Sequence, residues 1–139
     1  MTTQPTQRTV QNSILAEYQR NPQKEKALAT NPEEAVALLL QGAINKGNLA
    51  IECHNTRSFT EKGFHIGRMT SIVDALRERL NFNFKIGYDL ETLYYYVDLC
   101  LQESVYEVGT DKLEAAIQIL EEIQTAWSIS IEDALAKTA

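Results

Sequence analysis

Basic charge, proline, cysteine and long apolar runs are all scarce in this chain of 139 residues. Its 13 Lys and Arg stand against 19 Asp and Glu, which gives a formal net charge of −6. A nucleic-acid-binding protein needs a basic surface for phosphates, so the acidic balance argues against one. The longest unbroken apolar run, residues 35–40, is far too short to span a membrane, and residues 1–11 lack the apolar stretch of a secretory signal. We therefore expect neither a nucleic-acid nor a membrane partner.

Reactive and metal-binding side chains are equally few. The two cysteines, Cys53 and Cys100, fall within helical patterns, and we expect buried thiols in a reducing cytoplasm. The two histidines, His54 and His65, form no His-x-x-x-His or Glu-x-x-His motif, and no Cys-x-x-Cys pair occurs. A glycine-rich phosphate loop and a nucleophile elbow are also absent from the sequence. These absences predict no catalytic residue, no metal site and no cofactor.

Helical patterning dominates the rest of the chain. The last proline is Pro32, so no later residue interrupts a helix through a missing N–H. Strand signals are thin, whereas four segments carry apolar residues at helical spacing. Capping and acidic residues predict helix starts at Asn31-Pro32, Ser58-Phe59, Asp89 and Asp111, with Ile86-Gly87-Tyr88 as a breaker before the third. Four long helices with short connections favour an all-α fold, an antiparallel up-down four-helix bundle.

The two ends of the chain need separate treatment. Residues 1–12 offer little apolar area, and we expect a disordered tail. Residues 13–139 are expected to form a single domain, which opens with a short amphipathic helical segment at residues 13–19. A helix of that length is marginal alone, so it must dock on something or be disordered. At the other end, Ile129, Ile131 and Leu135 are expected to fold back as a short final helix.

The helices carry more apolar side chains than a single buried stripe requires. On the third helix the expected core stripe is Leu90, Leu93, Tyr94, Val97, Leu101 and Val105. Off that stripe lie Tyr95, Tyr96, Leu99, Cys100 and Tyr106, and the first helix adds Ala35, Ala37 and Leu38. A surplus of aliphatic and tyrosine side chains indicates a surface where a partner docks. The alternative is that irregular packing, or the N-terminal segment, covers these residues.

Two other classes of function remain open on the residues alone. A four-helix bundle can present a histidine for phosphotransfer, and His65-Ile66-Gly67-Arg68 places a base three residues after the histidine. In the phosphotransfer motif a glycine follows the basic residue, whereas here Gly67 precedes Arg68. A structural histidine on a helix is therefore the stronger interpretation. The other class is a self-associating bundle whose surplus apolar faces meet in a weak homodimer.

Five segments, taken in order, resemble the signatures of one known family. They are Ile14-Leu15-Ala16-Glu17-Tyr18-Gln19, Ala29-Thr30-Asn31-Pro32-Glu33-Glu34-Ala35-Val36-Ala37-Leu38-Leu39-Leu40-Gln41-Gly42-Ala43, Ile72-Val73-Asp74-Ala75-Leu76, Leu93-Tyr94-Tyr95-Tyr96 and Ala126-Trp127. Together they resemble the flagellin-specific export chaperones of the FliS family over residues 14–127. The chain departs from the family pattern at Tyr95, where Asp is usual, at Leu99-Cys100, where a basic pair is common, and at Leu40, which replaces an aromatic residue. The departures at Tyr95 and at Leu99-Cys100 make the third helix more apolar than is usual.

The resemblance implies a cytoplasmic chaperone with one client and no enzymatic activity. Members bind the disordered C-terminal segment of flagellin, which becomes helical around the bundle, and they prevent premature polymerisation. They then deliver flagellin to a component of the flagellar export gate, a step in which the N-terminal segment takes part. The residues expected to contact partners are Leu15, Tyr18, Gln19, Leu38, Tyr95, Tyr96, Leu99 and Tyr106.

Overall fold

Four helices make up the part of the chain that the computed structural model describes, which is the backbone of residues 32–138 and the side chains of residues 32–130. They are α1 (Pro32–Asn55), α2 (Phe59–Glu78), α3 (Lys85–Ser104) and α4 (Asp111–Thr138). Helices that follow one another in sequence pack together, and α1 also packs against α4. Across residues 32–138 the diagonal pairs α1–α3 and α2–α4 make no close approach. The predicted all-α four-helix bundle is therefore confirmed, while its N-terminal helical segment and the 1–12 tail lie outside the described residues.

The start of α3 differs from the prediction. The helix begins at Lys85, so Ile86-Gly87-Tyr88 forms its first turn and does not break it. Gly87 is buried, and a Cβ added there would lie 2.8 Å from the backbone carbon of Asn81. The glycine thus allows the first turn of α3 to press against the backbone of the α2–α3 connection. Close approach, rather than helix breaking, explains a glycine at this position.

The C-terminal end also differs, because α4 runs without interruption to Thr138. The predicted separate final helix is therefore wrong. After Trp127 no glycine or proline occurs that would end a helix. Trp127 is half-buried, and its Nε1 donates a hydrogen bond to the backbone oxygen of Glu33 at 3.0 Å. This contact fixes α4 beside the first turn of α1.

One hydrophobic core joins all four helices. Its buried side chains include Leu39, Leu40, Met69, Ile72, Val73, Leu76, Tyr94, Val97, Leu101, Leu113, Ile117 and Leu120. The prediction for the core stripe of α3 was wrong at Leu93 and Val105, which are exposed. Cys100 lies in the core, as expected of a buried thiol, although the helical pattern had placed it off that stripe. Leu93 lies about 100° around the helix from Tyr94, outside the narrow stripe that faces the bundle. Val105 is the C-cap residue of α3, next to the exposed α3–α4 connection.

Replacing Trp127 by phenylalanine should lower the free energy of unfolding by about 1 kcal/mol, because the ring still packs but the hydrogen bond to Glu33 is lost. Thermal unfolding followed by circular dichroism measures this change. Ile129→Ala is the control, since that exposed side chain lies one half-turn further along α4. An unchanged melting temperature for Trp127→Phe would show that the α1–α4 contact does not depend on the indole.

Candidate partner-binding surface

Four large side chains of α3 form an outward face that we name the tyrosine face: Tyr88, Tyr95, Tyr96 and Leu99. Tyr88, Tyr95 and Leu99 are spaced by seven and four residues, which puts them on one side of the helix. Tyr88 is 61% exposed, Tyr95 54% and Tyr96 50%, whereas Leu99 is half-buried. The bundle's own packing therefore leaves the rings of this face accessible to a partner.

Charged side chains line the edge of the tyrosine face that borders α2. The guanidinium of Arg77 lies 5.8 Å from the centroid of the Tyr95 ring, within the range of a cation–π contact. Arg77 donates to Glu91 from Nε at 3.1 Å and to Asp98 from Nη1 at 2.7 Å. These carboxylates raise the pKa of Arg77, so the residue stays charged. The ring of Tyr95 is thus braced on one side and open on the other.

The opposite edge of the face borders α4 and carries a second ion pair. Lys112 Nζ lies 3.1 Å from Glu103 Oε2, and that carboxylate raises the pKa of Lys112. Both side chains are about half exposed, so the pair contributes little to stability. Among the described residues, the aromatic rings between the two edges stay exposed.

The aromatic surface continues from Tyr88 into the α2–α3 connection. Phe82, Phe84 and Ile86 are all exposed, and the Phe82 ring centroid lies 5.1 Å from that of Tyr88. Behind them a cleft of about 190 Å³ reaches the core between Leu80 and Trp127. These residues were not predicted as contact residues, because Ile86-Gly87-Tyr88 was interpreted as a helix breaker and Phe82 and Phe84 lie outside the predicted helices. Three aromatic residues and an isoleucine within residues 82–88 could have indicated an exposed apolar surface here.

The remaining predicted contact residues lie elsewhere. Leu38 is half-buried and lines a groove of about 440 Å³ between α1 and α4, together with Trp127 and Ile129. Because α1 and α3 are diagonal in the bundle, this groove and the tyrosine face form two surfaces. Tyr106 is almost fully exposed in the α3–α4 connection, beside the equally exposed Val108. Leu15, Tyr18 and Gln19 lie outside the described residues.

His65 and the cysteines show no arrangement suited to catalysis. The Nδ1 atom of His65 is buried beside Phe64, whose ring centroid is 6.0 Å away, and Arg68 stacks on the same phenylalanine. Cys100 is buried as predicted, whereas Cys53 is only half-buried, and both are free thiols. Among the described side chains, no group of three His, Cys, Asp or Glu residues could hold a metal ion. The part of the chain that the structure covers also has no helix long and apolar enough to cross a bilayer.

Comparison with known proteins identifies the family of the chain. Residues 14–134 match the family described as Flagellar protein FliS. This chain belongs to the FliS family. It is similar to the flagellar secretion chaperone FliSB of Pseudomonas aeruginosa, with 26% identity over 115 residues, which cover 81% of this chain and 91% of the relative. The predicted membership of the FliS family is thereby confirmed. The FliS family indicates a flagellar chaperone without enzymatic activity, and it gives the phosphotransfer interpretation of His65 no support.

Proposed function

We propose that this protein binds the C-terminal segment of flagellin in the cytoplasm, prevents its premature polymerisation and delivers it to the flagellar export gate. The observation that carries the proposal is the series of exposed aromatic side chains from Phe82 and Tyr88 to Tyr95 and Tyr96, beside Leu99. Membership of the FliS family supports a flagellar client. The exposed rings supply a site where an apolar segment of that client can be covered.

A client helix fits this surface for physical reasons. An amphipathic helix lays its apolar side chains, spaced three or four residues apart, into a hydrophobic surface of matching length. Residues 88–99 of α3 span about 16 Å, which is three turns of a docked helix. Tyrosine suits such a surface because its ring tolerates water before binding and burial afterwards. A disordered client orders on binding, so part of the contact energy offsets its lost conformational entropy.

The second surface extends the proposed contact. Leu38, Trp127 and Ile129 in the α1–α4 groove offer a further apolar site on the other side of the bundle. A client segment that follows the bundle's circumference would reach both surfaces. In this proposal Tyr106 lies at the periphery, while Leu15, Tyr18 and Gln19 contribute to partner binding and to the transfer to the export gate.

Removing the C-terminal segment of flagellin should abolish its complex with this protein. Full-length flagellin and the chaperone should co-elute from gel filtration as a complex of one copy each. Flagellin shortened by the same number of residues at its N-terminus is the matched control and should still co-elute. If the C-terminally truncated client binds as well as the full-length protein, the proposed segment is wrong.

An exposed face of this kind also favours contact between two copies of the chain. We therefore expect weak self-association of the chaperone, which the client displaces. Light scattering on the free protein and on the complex distinguishes this from a permanent homodimer. A dimer that persists when flagellin is bound would place the client elsewhere.

A further inference from the structure

The cleft behind the α2–α3 connection lies at one end of the bundle, and side chains from all four helices line it. Apart from Trp127 of α4, its large apolar lining residues are Val36, Leu76, Leu80, Phe84, Ile86 and Leu90. Phe84 and Ile86 are exposed at its rim, whereas Leu76 is buried. An apolar side chain of a partner can therefore enter from solvent and reach the core.

The volume of the cleft, about 190 Å³, suits a single side chain. Pockets for drug-sized molecules and cofactors measure about 300–1,000 Å³. An apolar cavity of about 150 Å³ is enough to hold a benzene ring. The cleft therefore admits one side chain of the size of leucine or phenylalanine, which is the usual way in which an anchor residue fills a pocket at a protein interface.

The polar groups that line the cleft can all donate a hydrogen bond. Arg79 is the only charged residue among the described ones that line it. The Oδ1 atom of Asn81 accepts the backbone N–H of Asn83 at 3.0 Å, which leaves its Nδ2 group as a donor. Burial raises the pKa of Tyr94 to about 12, so its hydroxyl stays protonated. Because no carboxylate lines the cleft, it favours a partner with an anionic acceptor beside the apolar side chain.

The guanidinium of Arg79 is available to such an acceptor. Its side chain is exposed, and among the residues that the structure describes it makes no ion pair or hydrogen bond. Asp89 and Glu91 on α3 do not line the cleft. Their carboxylates are paired with Lys85 at 3.5 Å and with Arg77 at 3.1 Å. A guanidinium binds a carboxylate through two parallel hydrogen bonds, which gives the contact both strength and direction.

We propose that the cleft is a specificity pocket, in which one apolar side chain of a client helix is buried while Arg79 pairs with an Asp or Glu of that helix. The carboxylate lies three or four residues from the buried side chain, since that spacing places both on one side of a helix. The inference rests on the proposed function and adds to it the pair of client residues that is recognised. Phe84 and Ile86 line the cleft and shortly precede Tyr88, so a client on the tyrosine face is within reach of it.

Arg79→Gln should weaken binding of a synthetic peptide of the flagellin C-terminal segment about tenfold, because the peptide carboxylate loses its partner. Lys85→Gln is the matched control. It also removes an exposed cation at this end of the bundle, but Lys85 does not line the cleft, and the affinity should stay nearly unchanged. Titration calorimetry measures both affinities, and circular dichroism checks that the helices remain. Equal losses in the two variants would indicate general charge attraction and overturn the proposal.

Replacing each Asp and Glu of the peptide in turn by Asn or Gln identifies the partner of Arg79. One replacement should weaken binding to the wild-type protein about tenfold and have no further effect in Arg79→Gln, as a double-mutant cycle requires of a direct pair. Alanine in place of an apolar peptide residue three or four positions from that carboxylate should cause a loss of similar size. If no peptide carboxylate is coupled to Arg79, the proposal is overturned.

The remaining outcomes separate this inference from the proposed function. If the peptide binds the wild type, Arg79→Gln and Lys85→Gln equally well, the cleft inference fails and the proposed function stands. If the peptide does not bind the wild-type protein, the proposed function fails and the inference fails with it. Tighter binding to Arg79→Gln than to the wild type would mean that another segment, such as residues 14–19 of this chain, occupies the cleft, which overturns the proposal.

Discussion

Replacing Tyr95 and Leu99 together by alanine should weaken binding of the flagellin C-terminal segment by about 30-fold or more, a loss of roughly 2 kcal/mol. The two residues are one turn apart on the tyrosine face. Tyr95 is braced by Arg77 before any client arrives, so its ring binds with little further loss of conformational freedom. Titration calorimetry with the segment measures the change in affinity, and circular dichroism confirms that the helices remain.

Phe64→Ala is the matched control for that double variant. Phe64 is an aromatic side chain on α2 with 58% exposure, close to that of Tyr95, but it lies apart from the tyrosine face and stacks with Arg68. Its replacement should leave the affinity nearly unchanged. Equal losses in Phe64→Ala and in the double variant would mean that general surface hydrophobicity, and not this face, governs binding.

Gly87→Ala should destabilise the bundle by about 3 kcal/mol or more, a large share of the 5–15 kcal/mol that holds a domain folded. The added methyl group would collide with backbone atoms of Asn81, and backbone cannot move aside as a flexible side chain does. The first turn of α3 would have to shift, and with it Tyr88 and the α2–α3 connection. Urea denaturation measures the free energy of unfolding.

Gly67→Ala is expected to have the opposite effect and to stabilise the protein. Gly67 lies within α2, and nothing lies within 4 Å of the position that its Cβ would take. Alanine there should raise the stability by about 0.5–1 kcal/mol, because it restricts the unfolded chain and favours helix. If Gly87→Ala is as stable as Gly67→Ala, the close approach at Asn81 does not shape the fold.

The helical framework was predictable because the signals on which it depends are local. Pro32 followed by acidic residues, Ser58 before Phe59, and Asp111 mark helix starts through the chemistry of one turn, and the structure begins α1, α2 and α4 there. The start of α3 was predicted wrongly because Gly87 serves a contact with Asn81, which no local pattern reveals. The hydrogen bond of Trp127 to Glu33, which fixes α4 beside α1, joins residues 94 positions apart, and no local pattern reveals it.

The surface was predictable only in part. Tyr95, Tyr96 and Leu99 lie off the buried stripe of α3, and helical spacing alone identified them. The sequence does not show that the groove of Leu38 and the tyrosine face are two surfaces, because this follows from the diagonal placement of α1 and α3 in the bundle.

Hydroxyl-radical footprinting, read by mass spectrometry, tests the central claim most directly because it reports the accessibility of individual tyrosines. In the free chaperone Tyr95, Tyr96 and Tyr106 should all be modified. In the complex with flagellin, Tyr95 and Tyr96 should be protected, while Phe64 keeps its reactivity. Unchanged modification of Tyr95 and Tyr96 in a stable complex would show that flagellin binds elsewhere and would contradict the account.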